Sequence, residues 1–419
     1  MGGEIILGCV ADDFTGAGDA ASFIVKSGLN TVLFNETPAE DVDVSGFDAV
    51  VIALKTRSEE RKKAVFDSME AFKWLEKKGA SHFYSKYCST FDSTKDGNIG
   101  PVLDAALDYF DEKASVICPA LPVNKRIVKN GSLYIDGVLL GESHMKDHPL
   151  NPMWDSDIGR LMEPQSKYPC FNINHELMKK PSGDILNAVS SFAEGKERYY
   201  IVPDYITDED GEKIARLFGG MKVLSGGSGL LYHLGKFYGR SENPGGVKAF
   251  VGTEGKAVLL AGSCSKATLE QVEDFKSKGN PCFKIEPEKL LNGSLKLDDI
   301  WSFVESFASP VLIYSSDTAE NVKKAQSFGD ASKALEGAMA QIAKKAVDEG
   351  FKRIIVAGGE TSGAVTRTLM YDSFIIGESI APGVPVMIPL GDRSVRLVLK
   401  SGNFGQTDFF ERAVKETGI

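Results

Sequence analysis

Two adjacent aspartates followed by a turn of small residues, Ala11-Asp12-Asp13-Phe14-Thr15-Gly16-Ala17-Gly18-Asp19, are the first residues in this chain that could do chemistry. Carboxylates at a strand end suit polyhydroxylated ligands or a proton transfer, and amides at a helix start favour an anion. Together they fit a hydroxy acid, with a helix cap as the plain structural role for either aspartate. The densest run of hydrogen-bonding side chains is KYCSTFDSTKDGNIG, residues 86–100, ahead of a helix expected near Pro101. Its Lys, Asp, Ser, Thr and Asn can hold one carboxylate and several hydroxyls; an ordinary turn capped by Asn98 is the alternative. In CPALPVNKR, residues 118–126, a third strand end carries Asn124, Lys125 and Arg126. Those cations can neutralise a carboxylate or phosphate, or serve only as a solvated basic turn.

The second half holds three glycine-rich loops: GSCS at 262–265, GGETSG at 358–363 and SGNFG at 401–405. Each follows an apolar run and precedes an expected helix, where backbone N–H groups and the helix dipole can hold phosphates. Three such loops argue for a nucleotide. The P-loop pattern G-x-x-x-x-G-K-[ST] does not occur, and no G-x-G-x-x-G stands at a strand end, which argues against a Walker ATPase and an NAD enzyme. His144 and His148 have helical metal-ligand spacing, but Pro149 and Pro152 disfavour that helix, so a loop role is expected.

Strands and helices have to place these loops. Ile5 to Val10 reads as a buried strand, DDFTGAG as a loop, and Asp19 to Ser27 as a helix ending at Gly28. Ile6-Leu7-Gly8-Cys9 faintly resembles a lipoprotein cleavage box, but no basic segment precedes it and two aspartates follow, so the strand reading is preferred. Further strands are expected at Thr31 to Phe34, Ala49 to Leu54, Ser115 to Cys118 and Tyr200 to Pro203. A helix is expected over Ser58 to Lys78, with Phe66, Met69, Phe72, Trp74 and Leu75 as its apolar set. After a Pro- and Gly-bearing linker between Gly239 and Lys256, the pattern restarts. Strands at Ala257 to Ala261, Val311 to Tyr314 and Arg353 to Ala357 alternate with helices at Lys266 to Lys278 and Ala331 to Glu349. Val384 to Pro389 and Val395 to Lys400 look like two strands joined by Gly391-Asp392-Arg393.

A chain of 419 residues exceeds one ordinary core. The expected fold is α/β, with two domains, each built on a largely parallel sheet flanked by helices: residues 1–240 for a substrate and 250–419 for a nucleotide. Ligands of such sheets sit at the strands' carboxyl ends. A net charge of -10 disfavours a broad nucleic-acid surface. The six cysteines show no CxxC spacing, which fits a reducing cytoplasm, and no segment has the length of a membrane helix.

These blocks, in order, resemble the four-carbon acid sugar kinases: DDFTGA, KYCSTFDSTKDGNIG, CPALPVNKR, then Gly131-Ser132-Leu133-Tyr134, HMKDHPLNPMWDSDI, GGETSG, APGVP and SGNFG. The resemblance runs through nearly the whole chain. It implies an N-terminal sugar-acid domain, a C-terminal nucleotide domain, and phosphorylation of the terminal hydroxyl of a tetronate or oxo-tetronate by ATP with Mg²⁺. CSTFDST with MKDHPLNPMWDSDI is similar to the 3-oxo-tetronate kinase form, whereas threonate kinases generally carry a shorter DST-L-R-GNIG version. Lys125 departs from the pattern, since many relatives have Gly there.

Carried onto this chain, the resemblance implies ATP contacts at Ser263, Ser265, Gly358, Gly359, Glu360, Thr361, Ser362, Gly402, Asn403 and Gly405. Substrate contacts fall on Asp12, Lys86, Ser93 and Asn98, and the set extends to Thr15, Gly16, Arg57, Thr94, Asn124 and Arg126. Asp13 and Asp92 are the two candidate bases, and the residues do not decide between them. The metal ligands are not assigned. The partners expected are the sugar acid and ATP, without nucleic acid or membrane, and self-association is left open. Two other readings remain. Asp13 to Asp19 also matches the D-x-T-G-A-G-D signature of ribokinase-like sugar kinases, but that motif stands late in their chains and its last Asp is the base, so Asp19 is not assigned that role here. A sensor that binds acid and nucleotide without turnover is the other.

Overall fold

The computed structural model of the chain describes residues 5–147, 151–239, 252–308, 310–315 and 331–419. It divides into two compact units, Met1–Val247 and Lys248–Ile419. Of the linker expected between Gly239 and Lys256, residues 240–251 lie outside the described set.

In the first unit, five-residue strands are largely buried on both faces, as a parallel sheet requires, and most of them are apolar runs. They are β1 (Leu7–Ala11), β2 (Thr31–Asn35), β3 (Ala49–Ala53), β4 (His82–Lys86) and β5 (Ala114–Cys118). A small antiparallel sheet follows, of β6 (Arg126–Lys129), β7 (Ser132–Ile135) and β8 (Val138–Leu139). The main sheet is completed by β9 (Cys170–Ile173), β10 (Tyr199–Pro203) and β11 (Val223–Gly226). Its order is β2-β3-β1-β4-β11-β5-β10-β9, parallel throughout. The chain leaves β1 toward β3 and β2 and returns on its other side at β4. That reversal of direction makes the carboxyl ends of β1, β3 and β4 the crevice for a ligand.

Four helices of this unit bear on that crevice: α1 (Phe14–Ser27), α2 (Arg61–Lys77), α3 (Ile99–Phe110) and α4 (Ser228–Tyr238). Helix α1 begins five residues earlier than the sequence suggests, because the Asp13 side chain accepts from the Gly16 N–H and caps it there. The segment read as a glycine loop is therefore the helix's first turn and a half. From Ala17 to Ile24 every residue of α1 is buried, and α1 packs along α4. Within α2, Phe66 is 64% exposed, against the expectation of an apolar contact. It stands about 200° around the helix from Ala64 and Ser68, which belong to the buried stripe with Met69, Phe72 and Leu75.

The second unit has β12 (Ala257–Ala261), β13 (Cys282–Lys284), β14 (Val311–Tyr314), β15 (Arg353–Ala357), β16 (Ser373–Ala381), β17 (Val384–Pro389) and β18 (Arg396–Lys400). Strands β13-β14-β12-β15-β18 are parallel, and β17 and β16 continue from β18 in antiparallel pairing. Strand β16 is not apparent in the sequence: Gly377, Glu378 and a register shift break its alternation. Strand order reverses at β12, so the loops after β12, β15 and β18 share one edge. Helices α5 (Lys266–Ser277), α6 (Gly359–Leu369) and α7 (Phe409–Thr417) follow those loops. Leu259, Val272, Phe275, Ile355, Val398 and Phe409 belong to one buried core beneath them.

Lys125 adopts the left-handed conformation at φ 57°, a strained state for any residue but glycine. Its side chain is largely exposed and its contact with Asp136, at 3.7 Å, is a surface pair worth little. Lys125→Gly is therefore expected to raise the unfolding free energy by about 0.5–1 kcal/mol, the left-handed penalty less the extra chain entropy of glycine. An unmoved or lower denaturation midpoint would show that strain is absent.

Candidate active site

In the first unit the strand ends carry a ring of carboxylates around one guanidinium. Asp12 follows β1 directly, and Arg57 lies four residues past β3. Arg57 Nε and Nη2 donate to the two oxygens of Asp12 at 2.9 and 2.8 Å, the bidentate geometry that guanidinium and carboxylate share. Its Nη1 reaches Asp13 at 2.8 Å and Asp92 at 3.8 Å. Burial works against the charge on Arg57, but Asp12 and Asp13 outweigh it and keep the guanidinium protonated. Burial pushes the Asp12 carboxyl up, opposed by Arg57.

A second group lies beside the first. Lys86 ends β4, is almost wholly buried, and donates to the Tyr87 carbonyl at 2.9 Å. Its Nζ is 3.9 Å from Asp19, which also accepts from the Ser228 hydroxyl. Burial pushes the Asp19 carboxyl up, with Lys86 and Ser228 pulling the other way. Asp19 Oδ1 is buried with no hydrogen-bond partner. Buried among these groups, the Cys9 thiol is raised to about 12 and stays protonated.

Asp12, Thr56, Arg57, Lys86, Asp92, Ser93 and Asn98 line one cavity of about 30 Å³, space for little more than a water. The polar block at 86–100 is thus folded onto the aspartate pair. Asn98 occupies the position before α3 but does not cap it; its amide donates to the carbonyls of Thr56 and Glu59, which ties the Arg57 turn to this block. Ser93 donates to Gln165 at 2.9 Å. Thr94 is half-buried in the same turn and its carbonyl accepts from Gly97. Lys95 lies 4.6 Å over the ring of Trp154, which joins the STKDG and NPMWDSD segments. Thr15 and Gly16 lie in the first turn of α1. Asn124 closes a short turn at Pro122–Asn124, and its carbonyl accepts from Arg126, whose charge acts on Asp19.

The second unit brings the three glycine loops together. A methyl group on Gly402 would stand 2.3 Å from the Ser263 hydroxyl oxygen and 2.9 Å from that of Ser265, so the first and third loops touch through a position that admits no side chain. Gly358, at φ 133°, turns the chain from β15 into α6 in a conformation reserved for glycine. Gly359, Glu360, Thr361 and Ser362 are then the first turn of α6; the N–H groups of the first three lie ahead of the helix's own ladder, which begins where Ser362 donates to the Gly358 carbonyl at 2.9 Å. Ser265 caps α5 through its hydroxyl. Gly262, Ser263, Gly358, Gly359, Glu360 and Thr361, with Ser332 and Glu336, line a cavity of about 210 Å³. Asn403 is exposed and Gly405 adopts φ 84° in the third loop.

His144 lies in the short turn His144–Asp147, and His148 is outside the described residues. Among the described residues no group of three His, Cys, Asp or Glu could hold a metal ion unaided, and no helix is long and apolar enough to cross a membrane. The six cysteines are free. The sequence reading leaves Asp19 unassigned as a base and does not single out Ser228 or Gln165. The DDFTGAGD run contained a signal for Asp19, which the early start of α1 turns inward.

Comparison with known proteins agrees end to end. A family described as a sugar-binding N-terminal domain matches residues 7–234, and one described as a nucleotide-binding C-terminal domain matches residues 258–410. A 3-oxo-tetronate kinase of Brucella melitensis is 44% identical, covering 98% of this chain and 96% of the relative. One from Haemophilus influenzae is 40% identical over 97% of this chain and 99% of its own. Among solved structures, a Salmonella typhimurium LT2 protein carrying a provisional tRNA synthase label superposes with a TM-score of 0.91 at 38% identity, covering 99% of this chain and all of that one.

Gly402→Val places a branched side chain against Ser263 and Ser265 and is expected to weaken nucleotide binding at least about tenfold, while the constant for the first unit's ligand stays within about twofold. Titration of a fluorescent ATP analogue checks this, and unchanged affinity in a folded variant would detach the nucleotide from these loops.

Proposed function

Because the chain belongs to the four-carbon acid sugar kinase family, we propose that it transfers the γ-phosphoryl group of ATP to the C4 hydroxyl of 3-oxo-tetronate. The observation that carries this reading is the end-to-end identity with curated 3-oxo-tetronate kinases. The acid is taken to bind in the first unit and ATP in the second, with the site residues in the roles named from the sequence. The carboxylates of Asp12, Asp13 and Asp92 suit the acceptors that hydroxyl groups need. Lys86 and Arg57 supply the positive charge that a substrate carboxylate needs. A cavity of about 30 Å³ is too small for a four-carbon acid, so in this reading the site opens to admit it.

Phosphoryl transfer needs an in-line hydroxyl, a proton acceptor and donors for the phosphate oxygens. In this reading the N–H groups at the start of α6 and the hydroxyls of Ser263 and Thr361 serve the phosphates. Mg²⁺ is held mainly by phosphates and water in such sites, which fits a cavity where, among the described residues, the carboxylates are Glu336 and Glu360. When bound, the ion offsets the phosphate charge. The base is Asp13 or Asp92, both within reach of Arg57.

ATP consumption with 3-oxo-tetronate, and a C4 phosphate seen by NMR, is the expected result. A kcat/KM at least about tenfold above that for threonate would assign the keto acid. Silence toward every four-carbon acid would overturn the reading. Asp13→Asn and Asp92→Asn separate the candidate bases. Asn keeps the helix cap that Asp13 provides, so a kcat loss of about 10²–10⁴-fold with KM little changed isolates basicity. If neither variant loses more than a few-fold, proton acceptance lies elsewhere.

A further inference from the structure

Resting on the proposed nucleotide site, we infer that Lys400 and Gln271 are its positioning residues: they pull the carbonyls of the 401–406 loop inward, which turns that loop's N–H groups out toward the phosphates. Neither residue belongs to a glycine motif. Lys400 ends β18 and is 1% exposed. Its ammonium donates to the carbonyls of Ser401 and Gly402 and to the hydroxyl of Thr268, at 3.1, 2.9 and 2.9 Å. The Thr268 hydroxyl in turn donates a hydrogen bond to the Gly402 carbonyl. Gln271, the sixth residue of α5 and 1% exposed, aims its amide nitrogen at the carbonyls of Phe404, Gly405 and Gln406 at 3.0, 3.1 and 3.0 Å.

Five of six successive carbonyls in the loop are therefore held from below. A trans peptide is planar, so its C=O and the next residue's N–H point in opposite directions. With those carbonyls turned inward, the N–H groups of Gly402, Asn403, Gly405, Gln406 and Thr407 face away from Lys400 and Gln271. Among the described residues, none accepts a hydrogen bond from these five donors. All five residues are at least partly exposed. A row of successive outward N–H groups is an anion-binding concavity, and this one adjoins Ser263 and Ser265 at Gly402.

The side chains fit this role and no simpler one. Gln271 Oε1 is buried without a partner, so the amide is present for its donors alone, and neither Glu nor an apolar side chain could replace it. Burial pulls Lys400 down to about 7. Three oxygen acceptors work the other way, because only the ammonium form has three protons to give. The charged form also lends the loop a positive field beneath the phosphates.

Lys400→Met and Gln271→Met keep length while removing the donors. In the full chain each is expected to raise the Kd and KM for ATP with Mg²⁺ by about tenfold or more, with the KM for the four-carbon acid within about twofold. A lower melting temperature with both constants unmoved, or with both moved equally, would reduce the pair to a structural role and overturn the inference. Should a variant fail to fold, amide exchange in the unaltered protein decides. Saturating ATP should slow exchange across 402–407, and an unchanged rate overturns the inference. The outcome for Gly402→Val keeps the two levels apart. If that variant loses ATP while both Met variants bind it normally, only the positioning role falls; if it binds ATP normally, the nucleotide site itself is misplaced.

Discussion

A buried lysine needs oxygen acceptors for its side-chain nitrogen, and in both units of this protein a strand-end lysine takes one from the loop that follows. Lys86 is the last residue of β4 and Lys400 the last of β18, each nearly inaccessible. Each turns back to the carbonyl of the residue that follows, at 2.9 Å on Tyr87 and 3.1 Å on Ser401. A strand that ends this way cannot run straight on. The side-chain nitrogen holds that carbonyl, and with it the start of the polar loop. The remaining proton acceptors then differ with the chemistry each unit serves. Lys86 faces the carboxylate of Asp19, whereas Lys400 faces neutral oxygens and leaves its positive field to an external anion.

In the first unit the balance of charge is the second constraint. Asp12, Asp13, Asp19 and Asp92 outnumber Arg57 and Lys86, so two cations are shared among four carboxyl groups. Arg57 answers with all three of its nitrogens, its Nη1 shared between Asp13 and Asp92. The same arrangement explains how a site rich in negative charge can still suit a sugar acid: its acceptors match hydroxyls, and its two cations are the groups that a carboxylate can reach.

The apolar five-residue runs of β1, β3, β5 and β12 were legible because a strand buried on both faces needs an unbroken apolar sequence. The glycine motifs were legible because close approach and left-handed backbone leave glycine no substitute, as at Gly402 and Gly358. Lys125 shows the converse. A non-glycine residue holds φ 57° there, and only the backbone angle shows that the position strains it.

Residue types, order and family resemblance therefore determined the α/β class, the ordered polar blocks and the set of candidate groups. Tertiary structure decided their partners. Arg57 meets Asp12 across 45 positions of chain, a pairing that no local pattern contains. Asp13 takes the helix-cap role that the sequence offers as an alternative, and the helix it starts at Phe14 carries Asp19 from the expected first helical position to a buried one inside α1, beside Lys86. Lys400 and Gln271 left no mark in the sequence because their partners are backbone carbonyls. Every residue carries one of those, so the direction in which each points is settled only when the chain has folded.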